Sequence, residues 1–204
     1  MTSATAAAAD AVLDDGDPFR SRLLDGLAAS IDERGYRATT VADIVRHART
    51  SKRTFYDQFA SKEQCFQELL LADNETLAKS IRAAVDPDAD WQRQIRQAVE
   101  AFVSHIESRP ALTLSWIREL PPLGDVARPV QRRGTELLTG LLIELSASAG
   151  FRRADLPPLN MPLAVILLGG LRELTAVAVE DGRPVREIVE PAVDASIALL
   201  GPRH

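Results

Sequence analysis

The chain has 204 residues, 46% of them hydrophobic, and a formal net charge of -5. That length can bury a core as one large or two small domains. Its single cysteine, Cys65, excludes an intrachain disulfide and fits a reducing cytoplasm.

Low glycine, few β-branched runs and abundant Ala, Leu, Arg and Glu favour an all-α chain. Residues 1–17 are Ala-rich with four aspartates and no basic residue, the wrong pattern for a secretion signal, and are expected to form a disordered acidic tail. After Pro18, residues Phe19, Leu23, Leu24, Leu27, Ala28 and Ile31 recur at helical spacing up to Gly35, a C-cap, so a first helix is expected over 18–34. Its task is to cover the Phe55 and Phe59 face.

Three short helical signals follow. Thr40 precedes Asp43 by three residues in a variant of the capping box, with Val41, Ile44, Val45 and Ala48 as one apolar stripe. Ser51 is a second N-cap, with Phe55 and Phe59 one turn apart. Ser61 to Gln64 matches the capping box itself and opens a fourth helix reaching about Val85, ahead of Pro87. Two short helices joined by Ala48 to Thr50 are the signature of a helix-turn-helix, whose second helix enters the DNA major groove. Between Tyr36 and Lys62 stand six basic residues against two acidic ones, a local +4 that leaves -9 on the remainder of the chain. Such asymmetry marks one segment for a polyanion.

Tyr36 to Leu70, with Thr39-Thr40-Val41-Ala42-Asp43-Ile44, then Ser51 to Phe59, then Ser61-Lys62-Glu63, resembles the DNA-binding domain of the TetR family of bacterial repressors. One departure is Arg49, where that family often has glycine. If the turn needs a positive φ, arginine costs roughly 1 kcal/mol there. On the recognition helix the candidates for DNA contact are Lys52, Arg53, Thr54 and Tyr56. Thr40, Arg49, Ser51 and Lys62 are candidates for holding phosphates, assisted by exposed amides at two helix N-termini.

Beyond the fourth helix, one helix is expected over 91–108, carrying Trp91, Ile95, Val99, Phe102 and Ile106. A short one over 111–120 carries Leu114, Trp116 and Ile117, and a long one over 125–149 is closed by Gly150. A loop over 151–160 leads to a helix over 161–180. A last helix starts at Pro184, and Pro191 is expected to kink or restart it. That makes about nine helices. The nearly apolar run 161–171 is far shorter than the ~20 residues of a membrane span, so no membrane partner is expected. Residues 163–179 are apolar almost all round and the final helix is apolar on two sides, which one chain of this size struggles to cover. A second copy packed through 163–179 and 184–200 solves this, as the resemblance also implies.

Phe102, His105 and Trp116, with Trp91, Glu119, Leu138, Leu142 and Glu173, are candidates to line an internal pocket. The resemblance implies that a small-molecule effector binds there and moves the fourth helix. The expected organisation is a helix-turn-helix domain over 18–62 and an effector-binding and dimerisation domain over 63–204. The three histidines lack metal-ligand spacing and no nucleophile triad or phosphate loop is present, so neither enzyme, metal site nor cofactor is expected. The reading is a cytoplasmic homodimeric repressor that binds a palindromic operator in double-stranded DNA and is released by a small molecule. Alternatives are an activator or corepressor-dependent repressor of the same fold, or a small-molecule-binding scaffold with a vestigial helix-turn-helix. Cys65, inside an apolar periodic helix, reads as packing.

Overall fold

The computed structural model describes residues 17–202, and the described residues are helical without strands. The acidic tail lies outside the described residues apart from Asp17. That residue belongs to the fold instead, because its carboxylate caps the first helix at Phe19 N and accepts from the Gln58 side chain. Helix α1 (Pro18–Ala38) breaks at Gly35, whose φ of 76° is a left-handed conformation that glycine enters without a Cβ penalty. Helices α2 (Val41–His47) and α3 (Lys52–Gln58) follow, then the long α4 (Lys62–Ala84). Leu23, Leu27, Ile31, Ile44, Phe55, Phe59 and Phe66 close a fully buried core beneath them. Arg20 on α1 pins this core at one edge, giving hydrogen bonds to Gln58 O (2.7 Å) and Glu68 while lying over the Phe59 ring.

Helices α5 (Trp91–Ser108), α7 (Arg128–Ser146), α9 (Met161–Glu180) and α10 (Val189–Leu200) build a second buried cluster against the distal half of α4, and the short α6 (Pro110–Leu114) follows α5. The five-residue α8 (Ala149–Arg153) lies between α7 and α9. The end of α6 continues as a single π-turn, Ser115–Glu119, that carries Trp116. Trp116, Leu112, Leu120, Ala127 and Val130 join the first cluster, not the second.

Several boundaries differ from the sequence reading for local reasons. The helix expected over 125–149 begins at Arg128, because Gly124 (φ 64°) breaks the chain inside a 3-10 stretch over Pro121–Val126 and Pro129 suits only the first helical turn. It stops at Ser146, whose hydroxyl donates to Ile143 O and accepts from Leu159 N. Gly150 does not close it but lies buried in α8, where a Cβ would stand 2.0 Å from Ala89 O. The capping box at Ser61 is half formed: Ser61 accepts from Gln64 N, but Gln64 reaches past it to Ala60 N. Pro191 restarts rather than kinks the last helix, since a 3-10 turn Val185–Ile188 precedes α10 and the proline falls in its first turn. The apolar run expected to end at residue 171 is longer. The charges Arg172 and Glu173 do not interrupt α9, which by length and a mean hydropathy of 1.7 is apolar enough to cross a membrane, and only 33% of that window is buried.

The packing of α1 on α2 depends on Gly26, because a Cβ there would lie 2.6 Å from Ile44 O and 3.1 Å from the Ala48 Cβ. Gly26→Ala is expected to force the two helices apart and lower stability by about 1–3 kcal/mol. A thermal melt reads this directly, and an unchanged midpoint would contradict the contact.

Candidate DNA-binding face and effector chamber

The α2-turn-α3 unit is held by its caps. Thr40 and Asp43 form the reciprocal box, with Thr40 N donating to Asp43 Oδ2 (3.0 Å) and Asp43 N to the Thr40 hydroxyl (3.3 Å). At the other end of α2, Arg49 N donates to Arg46 O and Thr50 N to Val45 O, which is the Schellman pairing. That motif needs a left-handed residue, and Arg49 takes it with φ 50°. The turn is therefore the ordinary one, built with arginine in the place glycine favours. Ser51 then caps α3 by accepting from Thr54 N (3.1 Å), and its hydroxyl also bonds the Thr54 hydroxyl.

The six basic residues of this segment divide sharply. Arg46 is tied to Glu33 (2.9 Å) and Arg37 to Glu119 (2.6 Å). Glu33 also accepts from Arg34 and His47, and these donors hold its carboxyl down at about 2. Lys62, expected at a phosphate, turns inward: its ammonium donates to Tyr36 O and Thr39 O and sits 4.3 Å from the Tyr36 ring centre, joining the start of α4 to the end of α1. Arg49, Lys52 and Arg53 remain exposed and without an ion pair among the described residues. They lie together on the turn and first turn of α3, beside Tyr56, which is 58% exposed. Across a shallow groove from Arg49 stands Arg22 of α1, which spacing along the sequence did not bring into this group. Burial pushes the Cys65 thiol up to about 12, the condition of an inert packing residue.

The second cluster surrounds a narrow chamber of about 80 Å³, walled by apolar side chains of α4, α5, α7, α9 and α10, among them Ile81, Phe102, Leu138, Leu142, Leu167 and Leu200. Adjoining it is a smaller space of about 40 Å³, mostly apolar, with one polar corner formed by Asp73, Asn74, His105, Thr113, Trp116 and Arg172. Phe102, Leu138 and Leu168 are walls of both. Of the expected pocket residues, Phe102, His105, Trp116, Leu138 and Leu142 are thus brought together. Glu119 and Glu173 are not: Glu119 pairs with Arg37, and Glu173 shares Arg118 with Glu180. Trp91 packs on Phe151 (6.0 Å) away from both spaces. Sequence reading missed Asp73, Asn74 and Arg172. The signal was there in Asn74, a polar residue on the buried stripe Leu70, Leu77, Ile81 of α4.

This arrangement, capped short helices presenting unpaired cations above an all-α body, defines a DNA-binding protein of the helix-turn-helix class. Residues 23–69 match the profile described as bacterial regulatory proteins, tetR family. The HTH-type transcriptional repressor DhaR of Mycobacterium sp. (strain GP1) is 30% identical over 125 residues, 59% of this chain and 59% of that protein. The repressor KstR2 of Mycobacterium tuberculosis (strain ATCC 25618 / H37Rv) is 34% identical over 109 residues, 53% of this chain and 54% of that one. The chain thus spans little more than half the length of these curated relatives. Two solved structures share the fold: the fatty acid degradation regulator FadR from Bacillus halodurans (22% identity, 93% of this chain and 98% of that one, TM-score 0.72) and FadR from Bacillus subtilis in complex with stearoyl-CoA (17%, 90% and 99%, TM-score 0.70). Residues 23–69 thus carry a DNA-binding domain of the tetR regulatory type, and the relatives matched are transcriptional repressors, not enzymes.

Because Arg49 holds a left-handed backbone, Arg49→Gly is expected to raise stability by roughly 1 kcal/mol. The measurement is the urea midpoint. A lowered midpoint would show that the arginine side chain makes contacts outweighing the backbone cost.

Proposed function

We propose that the chain is a ligand-responsive repressor that binds a palindromic DNA operator as a homodimer and leaves it when a small molecule occupies the chamber. The observation that carries this is the set of free cations Arg49, Lys52 and Arg53 on an exposed, capped helix start, while neighbouring cations are tied to carboxylates. Lys52, Arg53, Thr54 and Tyr56 read base edges and adjacent phosphates, and Thr40, Arg49 and Ser51 hold the backbone. The division of labour places DNA binding in 18–62 and effector binding and dimerisation in 63–204.

Self-association is supported by α9 and α10. Met161, Val165, Ile166 and Val177 of α9 and Leu199 of α10 are exposed, Ile166 by 59%. Gly169 and Gly170 on the same helix have open space where a Cβ would stand, which lets a partner backbone approach. A second copy, not a bilayer, covers this face, in keeping with the two glutamates of α9, Glu173 and Glu180, being tied to Arg118 of the same chain. Pairing sets two recognition helices about one DNA turn apart. The chamber is largely apolar, and the fold-sharing FadR from Bacillus subtilis was crystallised with stearoyl-CoA. An effector with a substantial apolar part fits that lining. It acts by favouring a spacing of the two recognition helices that does not match the groove, with α4 as the moving link. A reducing cytoplasm is the compartment in which such a regulator meets DNA.

Two outcomes test this. Lys52→Ala with Arg53→Ala is expected to weaken binding to a DNA fragment selected by the wild-type protein on the order of tenfold or more and to flatten its salt dependence by about one to two counterions. Unchanged affinity and slope would remove α3 as the recognition helix. Ile166→Glu is expected to convert a dimer at micromolar concentration into a monomer by sedimentation and to lose DNA binding with it. A dimeric variant would place the interface elsewhere.

A further inference from the structure

Arg172 is the anomaly of α9. It lies in a mostly apolar helix, partly buried, and makes neither an ion pair nor a hydrogen bond among the described residues, although carboxylates are close enough to satisfy Arg118 one helix away. Its guanidinium lies 5.5 Å from the centre of the Trp116 ring and faces the polar corner. His105 is the second anomaly in the same wall. Its Nε2 is buried and has no hydrogen-bond partner, the Asp73 carboxylate standing 3.2 Å away but off the bonding direction. Asp73 is in turn 3.9 Å from Arg109. Arg172 is thus a cation with no counter-charge beside an unpartnered ring nitrogen, so the group this corner lacks is an anion. Desolvation also pulls the Arg172 pKa below its usual value, the mark of a cation without a counter-charge.

Phe102, Leu138 and Leu168 line both spaces, so a path from the polar corner into the apolar chamber runs past these three side chains. We propose that this path binds an amphipathic organic acid, its carboxylate received by Arg172 with His105 and its apolar tail lying in the chamber. The proposal deepens the effector-binding reading above and rests on it. A planar guanidinium fork matches a carboxylate, and a buried charge is stabilised once paired. The head group also meets Trp116, which packs in the cluster beneath the helix-turn-helix, and the α4 wall at Asp73 and Asn74. Occupancy of this corner is therefore in contact with the element that joins chamber and DNA-binding part.

The probes are dodecanoate, dodecan-1-ol and dodecanoyl-CoA, titrated by calorimetry below their micellar concentrations into the full chain and into Arg172→Gln and Arg172→Lys. Dodecanoate is expected to bind roughly tenfold to a hundredfold more tightly than the alcohol. Arg172→Gln is expected to abolish that preference and leave alcohol binding unchanged, which also shows that the variant is folded. Arg172→Lys is expected to restore part of it. Equal binding of acid and alcohol, or a preference that survives Arg172→Gln, overturns the head-group assignment while leaving an apolar effector chamber in place. Dodecanoyl-CoA binding more tightly than the acid, unaffected by the substitution, overturns it in favour of a thioester held elsewhere. Binding of none of the three overturns it together with the apolar effector, while the DNA measurements on Lys52 and Arg53 stand independently.

Discussion

Helix α4 is buried twice along its length, and the rest of the structure depends on that. Cys65, Phe66, Leu69 and Leu70 fill the core under the helix-turn-helix, and Leu77, Ala78 and Ile81 fill the wall of the chamber. An uninterrupted helix of 23 residues is about 35 Å long and moves as one body, so neither core can shift its part of α4 without the other registering it. Its start is held by Lys62, whose ammonium gathers the last carbonyls of α1, and by Ser61, which caps it. A sequence pattern that reads as one amphipathic stripe is in fact two stripes serving two neighbours.

Charge pairing sharpens the picture that composition gave. The positive segment is narrower than a count of basic residues implies, because Arg37 and Arg46 are neutralised by carboxylates from α1 and the π-turn, and Lys62 is used for architecture. What remains is a compact group at the start of α3. The same logic runs in reverse in the body: Arg118 takes two glutamates and Arg172 takes none. A cation's neighbours, not its presence, decide whether it is available to a ligand.

Local signals were legible in the sequence and remote ones were not. Caps at Thr40 and Ser51, the break at Gly35 and the restart at Pro191 each depend on a few adjacent residues, and the structure contains all of them. Phe102, His105 and Trp116 were traceable to one site because an apolar or half-polar side chain on a buried stripe has few places to go. Glu119 and Glu173 were misplaced because their partners, Arg37 and Arg118, lie 82 and 55 residues away in the chain. No spacing rule reports such distances. Gly150 failed for the same reason: glycine after a helix suggests an end, and only the approach of Ala89 shows that it is there for room. Arg172 was hidden by Glu173 beside it, since adjacency in the chain does not show that Glu173 turns to Arg118 and leaves Arg172 without a partner.

The outward side of α9 has a bearing on how the chain behaves before it is assembled. A freshly synthesised copy presents a strip as oily as a lipid-crossing segment, and in the pairing proposed above a second copy shelters it. Under that pairing, stability depends on how many copies are present, and scarce protein is the most exposed to chaperones and proteases.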